Sequence, residues 1–231
     1  MCSSDLAAVE SLSSLTENDL LIAAPPPGSA NGVVMYAGAG DDTVTGTTYG
    51  DDIYGGNQND ILNGLDGTDY LYGESGNDSL FGGNSFDNLF GGLQNDVLFG
   101  GNQADRIAGD DGTDRLFGGA GGDYMAGGTG RDQLNGEAGS DDLKGGAGAD
   151  RFIFKAQMGR DSVRDFSATD HDVLQIARTL AGGASATAAS VITNFASLTA
   201  VGAQIDFGGG DVIILHGVTD LASVQAAIVL F

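Results

Sequence analysis

The chain lacks several things that folded domains commonly use. Its only cysteine is Cys2, so no intrachain disulfide forms. Tryptophan is absent, and the three prolines sit together at Pro25, Pro26 and Pro27. The histidines are His171 and His216, with no H-E-x-x-H pairing, which excludes the usual zinc-protease motif. His171 lies in Thr169-Asp-His-Asp172 and reads as a solvated turn; His216 closes an apolar run and reads as structural. No elbow motif places a Ser or Cys for a nucleophilic triad. No catalytic constellation is therefore visible, and the chain is read as not an enzyme.

Positive charge is scarce too. The nine Lys and Arg residues all lie at Arg106 or beyond, against 32 acids and a formal net charge of −23. Such a surface repels nucleic acid and anionic membranes and attracts divalent cations. No apolar run approaches transmembrane length. Near the N-terminus no basic segment precedes an apolar one, and Leu20-Leu-Ile-Ala-Ala24 is too short for a secretory core, so N-terminal export is not expected.

Glycine and aspartate are what the chain does have. From Ala37 to Ile153 it reads as thirteen nine-residue units without insertion. Clear copies are Gly118-Gly-Ala-Gly-Gly-Asp-Tyr-Met-Ala126 and Gly127-Gly-Thr-Gly-Arg-Asp-Gln-Leu-Asn135. The sixth position is always aspartate: Asp42, Asp51, Asp60, Asp69, Asp78, Asp87, Asp96, Asp105, Asp114, Asp123, Asp132, Asp141 and Asp150. The eighth is always apolar, from Val44 to Phe152. The first is glycine in all units but the opening one, which has Ala37.

This pattern resembles the repeats-in-toxin (RTX) nonapeptide, G-G-x-G-x-D-x-U-x, a calcium-binding β-solenoid unit. The residues support that reading independently. A glycine-rich run ending in Asp makes a turn that needs positive φ. The next three residues alternate outside, inside, outside, which is a three-residue strand. Two units then form one 18-residue coil, and stacked coils pair their strands as two parallel sheets. The expected fold is all-β: a parallel β-roll, right-handed as the resemblance implies, with a C-terminal β-rich cap.

Stacking sets each aspartate over the one 18 residues on. Two bare carboxylates about 5 Å apart repel by about 3 kcal/mol at an effective dielectric of 20. A divalent cation between them reverses the sign. Ca2+ accepts six to eight oxygens in flexible geometry, while Mg2+ demands a strict octahedron and zinc prefers softer ligands. Several Ca2+ ions are expected on the thirteen aspartates, with turn carbonyls from Gly112, Gly119, Gly121, Gly128, Gly130, Gly139, Gly146 and Gly148. These glycines cluster late because the fourth position is Tyr49, Gln58, Ser85, Gln94 and Gln103 in five earlier or middle units. Same-edge turns with glycine there in both partners are Asp114/Asp132, Asp123/Asp141 and Asp132/Asp150 only. The N-terminal half is expected to bind metal more weakly.

The ninth position carries outward aromatics at 18-residue spacing, Tyr54, Tyr72 and Phe90 on one sheet and Phe81, Phe99 and Phe117 on the other. They read as stacking ladders, with a glycan or an upstream domain as the other possible occupant.

Residues 1–36 read as an N-terminal tail or linker joining to a larger protein, with Ser14–Leu21 a short helix and 25–32 a loop. Residues 37–153 are the roll and 154–231 the cap. In the cap, Ala203–Phe207 and Asp211–His216 form a hairpin, and Thr219 or Asp220 caps a helical turn at Leu221–Val224. The pieces Gly148-Ala-Asp-Arg-Phe-Ile-Phe154 and Asp161-Ser-Val-Arg-Asp-Phe166, with the apolar end, resemble serralysin-type proteins exported by type I secretion. That resemblance implies a cap carrying an uncleaved export signal, hence type I secretion machinery as partner and an extracellular location. The family's signal has an acidic residue just before the terminal apolar run; here the nearest is Asp220.

Two functions follow. One is a calcium-loaded structural and secretion module, the C-terminal part of an extracellular protein. The other is a carbohydrate-binding accessory module of a polysaccharide-modifying enzyme.

Overall fold

The structure is a computed structural model that describes residues 17–23 and 32–231. Two sheets face each other, one of ten strands and one of eleven. Through the repeat, strands alternate between them along the chain, so each sheet takes every second nonapeptide. Leu62 pairs with Leu80, Leu80 with Leu98, Leu98 with Leu116 and Leu116 with Leu134, all in parallel register. The other sheet repeats this through Ile53, Leu71, Leu89, Ile107, Met125 and Leu143. The 18-residue offset is the expected coil.

One apolar side chain per unit builds the core. Every eighth-position residue from Val44 to Phe152 is fully buried, at 0% exposure. Such a core is thin, since one aliphatic side chain must offset the ordering of nine residues.

The strands are longer than the three residues read from the pattern. Tyr70–Ser75 and Val97–Asn102 span six residues, and Arg115–Gly121 and Gln133–Gly139 span seven. Glycines after each apolar residue also pair between coils, because nothing on their Cα obstructs the neighbouring carbonyl. A β-carbon on Gly130 would lie 1.6 Å from the Gly112 carbonyl oxygen.

The stack also begins before the repeat. Leu20–Ile22 is a strand that pairs with Thr43–Thr45, and Val34–Ala39 pairs with Asp52–Asn57. The helix read at Ser14–Leu21 is absent from its described part: the open edge of Thr43–Thr45 offers backbone partners to Leu20–Ile22, and sheet pairing overrides local helix preference. The rest of that helix and most of the proline loop, residues 25–31, lie outside the described residues.

At the other end the coils continue into the cap. Phe152 pairs with Leu174 and Leu174 with Ile228, so the final strand Ile228–Leu230 closes one sheet. Leu143 pairs with Val163 and Val163 with Leu215, which joins the antiparallel hairpin Gly202–Gly208 and Asp211–His216 to the other. The helix Leu221–Ala227 is capped by Asp220, whose carboxylate accepts from the Ala222 and Ser223 amides. The helix Ala188–Phe195 packs over the same core through Val191.

Candidate metal centre

The repeat aspartates lie at the turns along the two edges of the roll, and each is at most 2% exposed. One carboxylate oxygen of each reaches back one coil. Oδ1 of Asp60 accepts the Asp42 amide at 2.8 Å, Oδ1 of Asp114 the Asp96 amide at 2.8 Å, and Oδ1 of Asp132 the Asp114 amide at 2.9 Å. The other edge repeats this from Asp51 to Asp141, for example Asp123 N–H to Asp141 Oδ1 at 2.9 Å. These bonds form two continuous carboxylate ladders.

The second oxygen is different. Oδ2 is buried and makes no hydrogen bond in Asp42, Asp60, Asp69, Asp78, Asp87, Asp96, Asp105, Asp114, Asp123, Asp132, Asp141 and Asp150. Asp51 is the exception among the thirteen: Thr47 donates to it through its amide at 2.6 Å and its hydroxyl at 3.1 Å. In the twelve units that begin with glycine, Oδ2 is tucked beside that glycine. A β-carbon on Gly127 would lie 2.4 Å from Asp132 Oδ2 and 2.5 Å from the Gly145 carbonyl oxygen. That proximity explains why the first position is glycine.

A buried acceptor with no donor is costly, and buried like charges are more so. Burial, the largest cause, pushes Asp87 and Asp96 up to about 8 and Asp60, Asp69, Asp105 and Asp132 up to about 7. Asp78, Asp114 and Asp123 rise to about 6 for the same reason. The ladder amides pull each value down, and neighbouring carboxylates push most of them up further. Asp42, Asp141 and Asp150 are also raised, again mainly by burial. Only a proton or a cation relieves this arrangement. A hard divalent cation fits the donor set, which is carboxylate and carbonyl oxygen throughout.

The glycines expected to supply carbonyls fall in two conformations. Gly119, Gly128 and Gly146, at the second position, have φ of 109°, 118° and 100°. Gly121, Gly130, Gly139 and Gly148, at the fourth, have φ of 155°, 130°, 154° and 142°, while Gly112 is outside the left-handed range. Gln58, Ser85, Gln94 and Gln103 occupy the fourth position at φ of 76° to 89°, a narrower left-handed turn that side chains tolerate at a cost. Tyr49 avoids it. The three fourth-position glycine pairs singled out by sequence are paired in the sheets: Gly112 with Gly130, Gly121 with Gly139 and Gly130 with Gly148.

The ladders run past the repeat. Asp19 donates its amide to Asp42 Oδ1 at 2.8 Å, Asp161 Oδ1 accepts from Asp141 at 3.1 Å, and Asp172 Oδ1 accepts from Asp150 at 3.0 Å. Spacings of 23, 20 and 22 residues hide these rungs from an 18-residue period. A signal survives: Asp19-Leu-Leu21, Asp161-Ser-Val163 and Asp172-Val-Leu174 all keep the D-x-U end of the unit.

A pH dependence follows. A carboxylate raised from 3.8 to between about 6 and 8 stabilises the metal-free fold below 3.8 and loses that contribution as pH rises through 6 to 8. Under chelator, circular dichroism at pH 4.5 should therefore show more β-structure than at pH 7.5. An equal signal at the two pH values would mean that the carboxylates are not buried in the metal-free chain.

A family model described as the RTX calcium-binding nonapeptide repeat matches residues 33–48, 45–80, 81–116 and 117–152. No curated protein sequence matches the chain. Among solved structures, the chain is similar to the extracellular lipase LipA from Serratia marcescens, at 19% identity and a TM-score of 0.46. That match covers 84% of this chain and 40% of the lipase, so the chain spans well under half of that enzyme's length. It is also similar to the AlgE6R3 subunit of the Azotobacter vinelandii mannuronan C5-epimerase in solution, at 26% identity and a TM-score of 0.26, covering 59% of this chain and 78% of that one. With the repeat filling both edges of the roll, the chain belongs to the RTX calcium-binding nonapeptide repeat family.

Proposed function

We propose that this RTX β-roll folds on calcium outside the cell and serves as the structural and secretion C-terminal part of an extracellular protein. The observation that carries the proposal is the row of buried Oδ2 atoms without a donor on both edges. A proton can satisfy these carboxylates up to about pH 6 to 8, and above that they need a cation; the cell exterior supplies calcium at millimolar level where the cytosol does not. Binding energy then becomes folding energy, and the chain stays unfolded until it is exported.

The carboxylates of Asp114, Asp132 and Asp150 on one edge and Asp123 and Asp141 on the other would hold the best-formed sites. Gly112, Gly119, Gly121, Gly128, Gly130, Gly139, Gly146 and Gly148 would supply carbonyls there. The remaining repeat aspartates, whose turns either carry Tyr49, Gln58, Ser85, Gln94 or Gln103 or stack against one that does, would bind less tightly. No helix among the described residues is long and apolar enough to cross a membrane.

The terminal residues support a cap that doubles as the export signal. Helix Leu221–Ala227 and strand Ile228–Leu230 cover Leu174 and the end of the core. The carbohydrate reading has less to stand on. Tyr36, Tyr54, Tyr72 and Phe90 stack at 4.7 to 5.1 Å, and Phe81, Phe99 and Phe117 at 5.0 and 4.8 Å. Inner ring faces are taken up by neighbouring rings, whereas a sugar platform needs them open.

Two experiments test this. Asp132 belongs to two glycine-paired rungs, and Asp96 to a turn with Gln94 at φ 80°. Asp132→Ala should raise the calcium midpoint for folding clearly more than Asp96→Ala, measured by circular dichroism during titration; the reverse order would refute the ranking of sites. Deleting residues 221–231 should leave the protein inside a host that carries a matching type I transporter. Undiminished secretion of the truncated chain would place the signal elsewhere.

A further inference from the structure

Turns of the N-terminal coils are joined by a second set of rungs that involves none of the sixth-position aspartates. On one edge, the fifth position carries Asp41, Asn59, Asn77, Asn95 and Thr113. Asp41 Oδ1 accepts the Asn59 amide at 3.0 Å and its side-chain Nδ2 at 3.1 Å. Asn59 Oδ1 accepts both groups of Asn77 at 2.9 Å, and Asn77 Oδ1 accepts both groups of Asn95 at 3.2 Å. Asn95 Oδ1 accepts the Thr113 amide at 2.9 Å and ends the run. The other edge has a shorter ladder at the third position, in which Asn84 Nδ2 donates to Asp66 Oδ1 at 2.6 Å and Asn102 Nδ2 to Asn84 Oδ1 at 2.7 Å.

Both ladders stop where glycine turns begin to stack on one another. After Thr113 the fifth position holds Arg131 and Ala149, and after Asn102 the third holds Ala120, none of which has a side-chain oxygen to continue the ladder. From Arg106–Gly112 onward the repeat strands lengthen from six residues to seven, and fourth-position glycines pair across coils. Within the ladder region fourth-position glycines at Gly40, Gly67 and Gly76 each face Gln58, Ser85, Gln94 or Tyr49 in the neighbouring coil, so no two glycines stack at this position. The asparagine ladders thus give way to stacked glycines along the roll, with one side-chain rung, Thr129 Oγ1 to Asp111 Oδ1 at 2.9 Å, persisting among them.

An amide rung is neutral and self-complementary: its oxygen accepts from the next coil while its nitrogen donates to the previous one. It fixes turn-to-turn register without a cation. We propose that these asparagine ladders hold the register of the N-terminal turns, the task that bound calcium performs in the C-terminal glycine turns. This rests on the calcium reading given above for the glycine turns, and it makes the roll two segments with different dependence on the metal.

The test is residue-resolved amide hydrogen exchange on the full chain in saturating calcium. Asn77→Ala removes the acceptor of the Asn95 amide, so exchange at Asn95 should speed by about tenfold, the equivalent of one net hydrogen bond. Exchange in residues 112–148 should stay as in the parent, and further calcium should not restore Asn95. Asn77→Asp keeps the acceptor oxygen and should keep most of the Asn95 protection. Unchanged exchange at Asn95 in Asn77→Ala, or full restoration by added calcium, would overturn the proposal. Chelation of the parent chain reads the calcium assignment separately: if residues 112–148 keep their protection there, it is the glycine-turn reading that fails.

Discussion

Like charges stacked in a low-dielectric interior are the constraint that shapes this molecule. An 18-residue coil returns each aspartate to the same edge, and parallel pairing buries it over the next. Amides from the preceding coil satisfy one oxygen of each carboxylate, as with Asp96 N–H on Asp114 Oδ1. The other oxygen is left buried without a donor in nearly every unit. The hydrophobic core cannot absorb that cost, because it offers only one buried side chain per nine residues. We propose that the fold depends on a bound cation, and calcium binding in this family is the matching property.

The rest of the architecture follows from that dependence. First-position glycine gives the carboxylate room, and the eighth-position apolar residue keeps the coil flat enough for the edges to align. Where the turns are glycine-rich, backbone pairing extends through them. Where two glycine turns do not stack on one another, side-chain amides at Asn59, Asn77 and Asn95 bridge neighbouring coils. At the C-terminal end the aspartate ladders pass into the cap through Asp161 and Asp172, so the last coils and the cap share one set of hydrogen bonds. Order that begins at the cap has a direct path into the repeat.

Much of this was legible in the sequence because the coil is rigidly periodic. Constant spacing made Asp132 over Asp150 and Leu116 over Leu134 readable without coordinates, and the aromatic columns with them. The hairpin and the Asp220 cap were legible through local turn and capping chemistry. What was missed depended on pairing between segments of irregular spacing. Asp19, Asp161 and Asp172 drop out of phase by a few residues, and the final strand Ile228–Leu230 finds Val173–Ile176 across more than fifty residues of chain. Leu20–Ile22 became a strand because a sheet edge was available, not because of its own propensity. The asparagine ladder was hidden because position five varies between units, and only stacking brings its members together.

In this account the cation, not the apolar core, decides whether the roll exists at neutral pH. Far-ultraviolet circular dichroism of the intact chain at pH 7.5, first in chelator and then with millimolar calcium, tests it most directly. A disordered spectrum that turns β-rich on calcium addition is the expected result. A β-rich spectrum in chelator, unchanged by calcium, would contradict it.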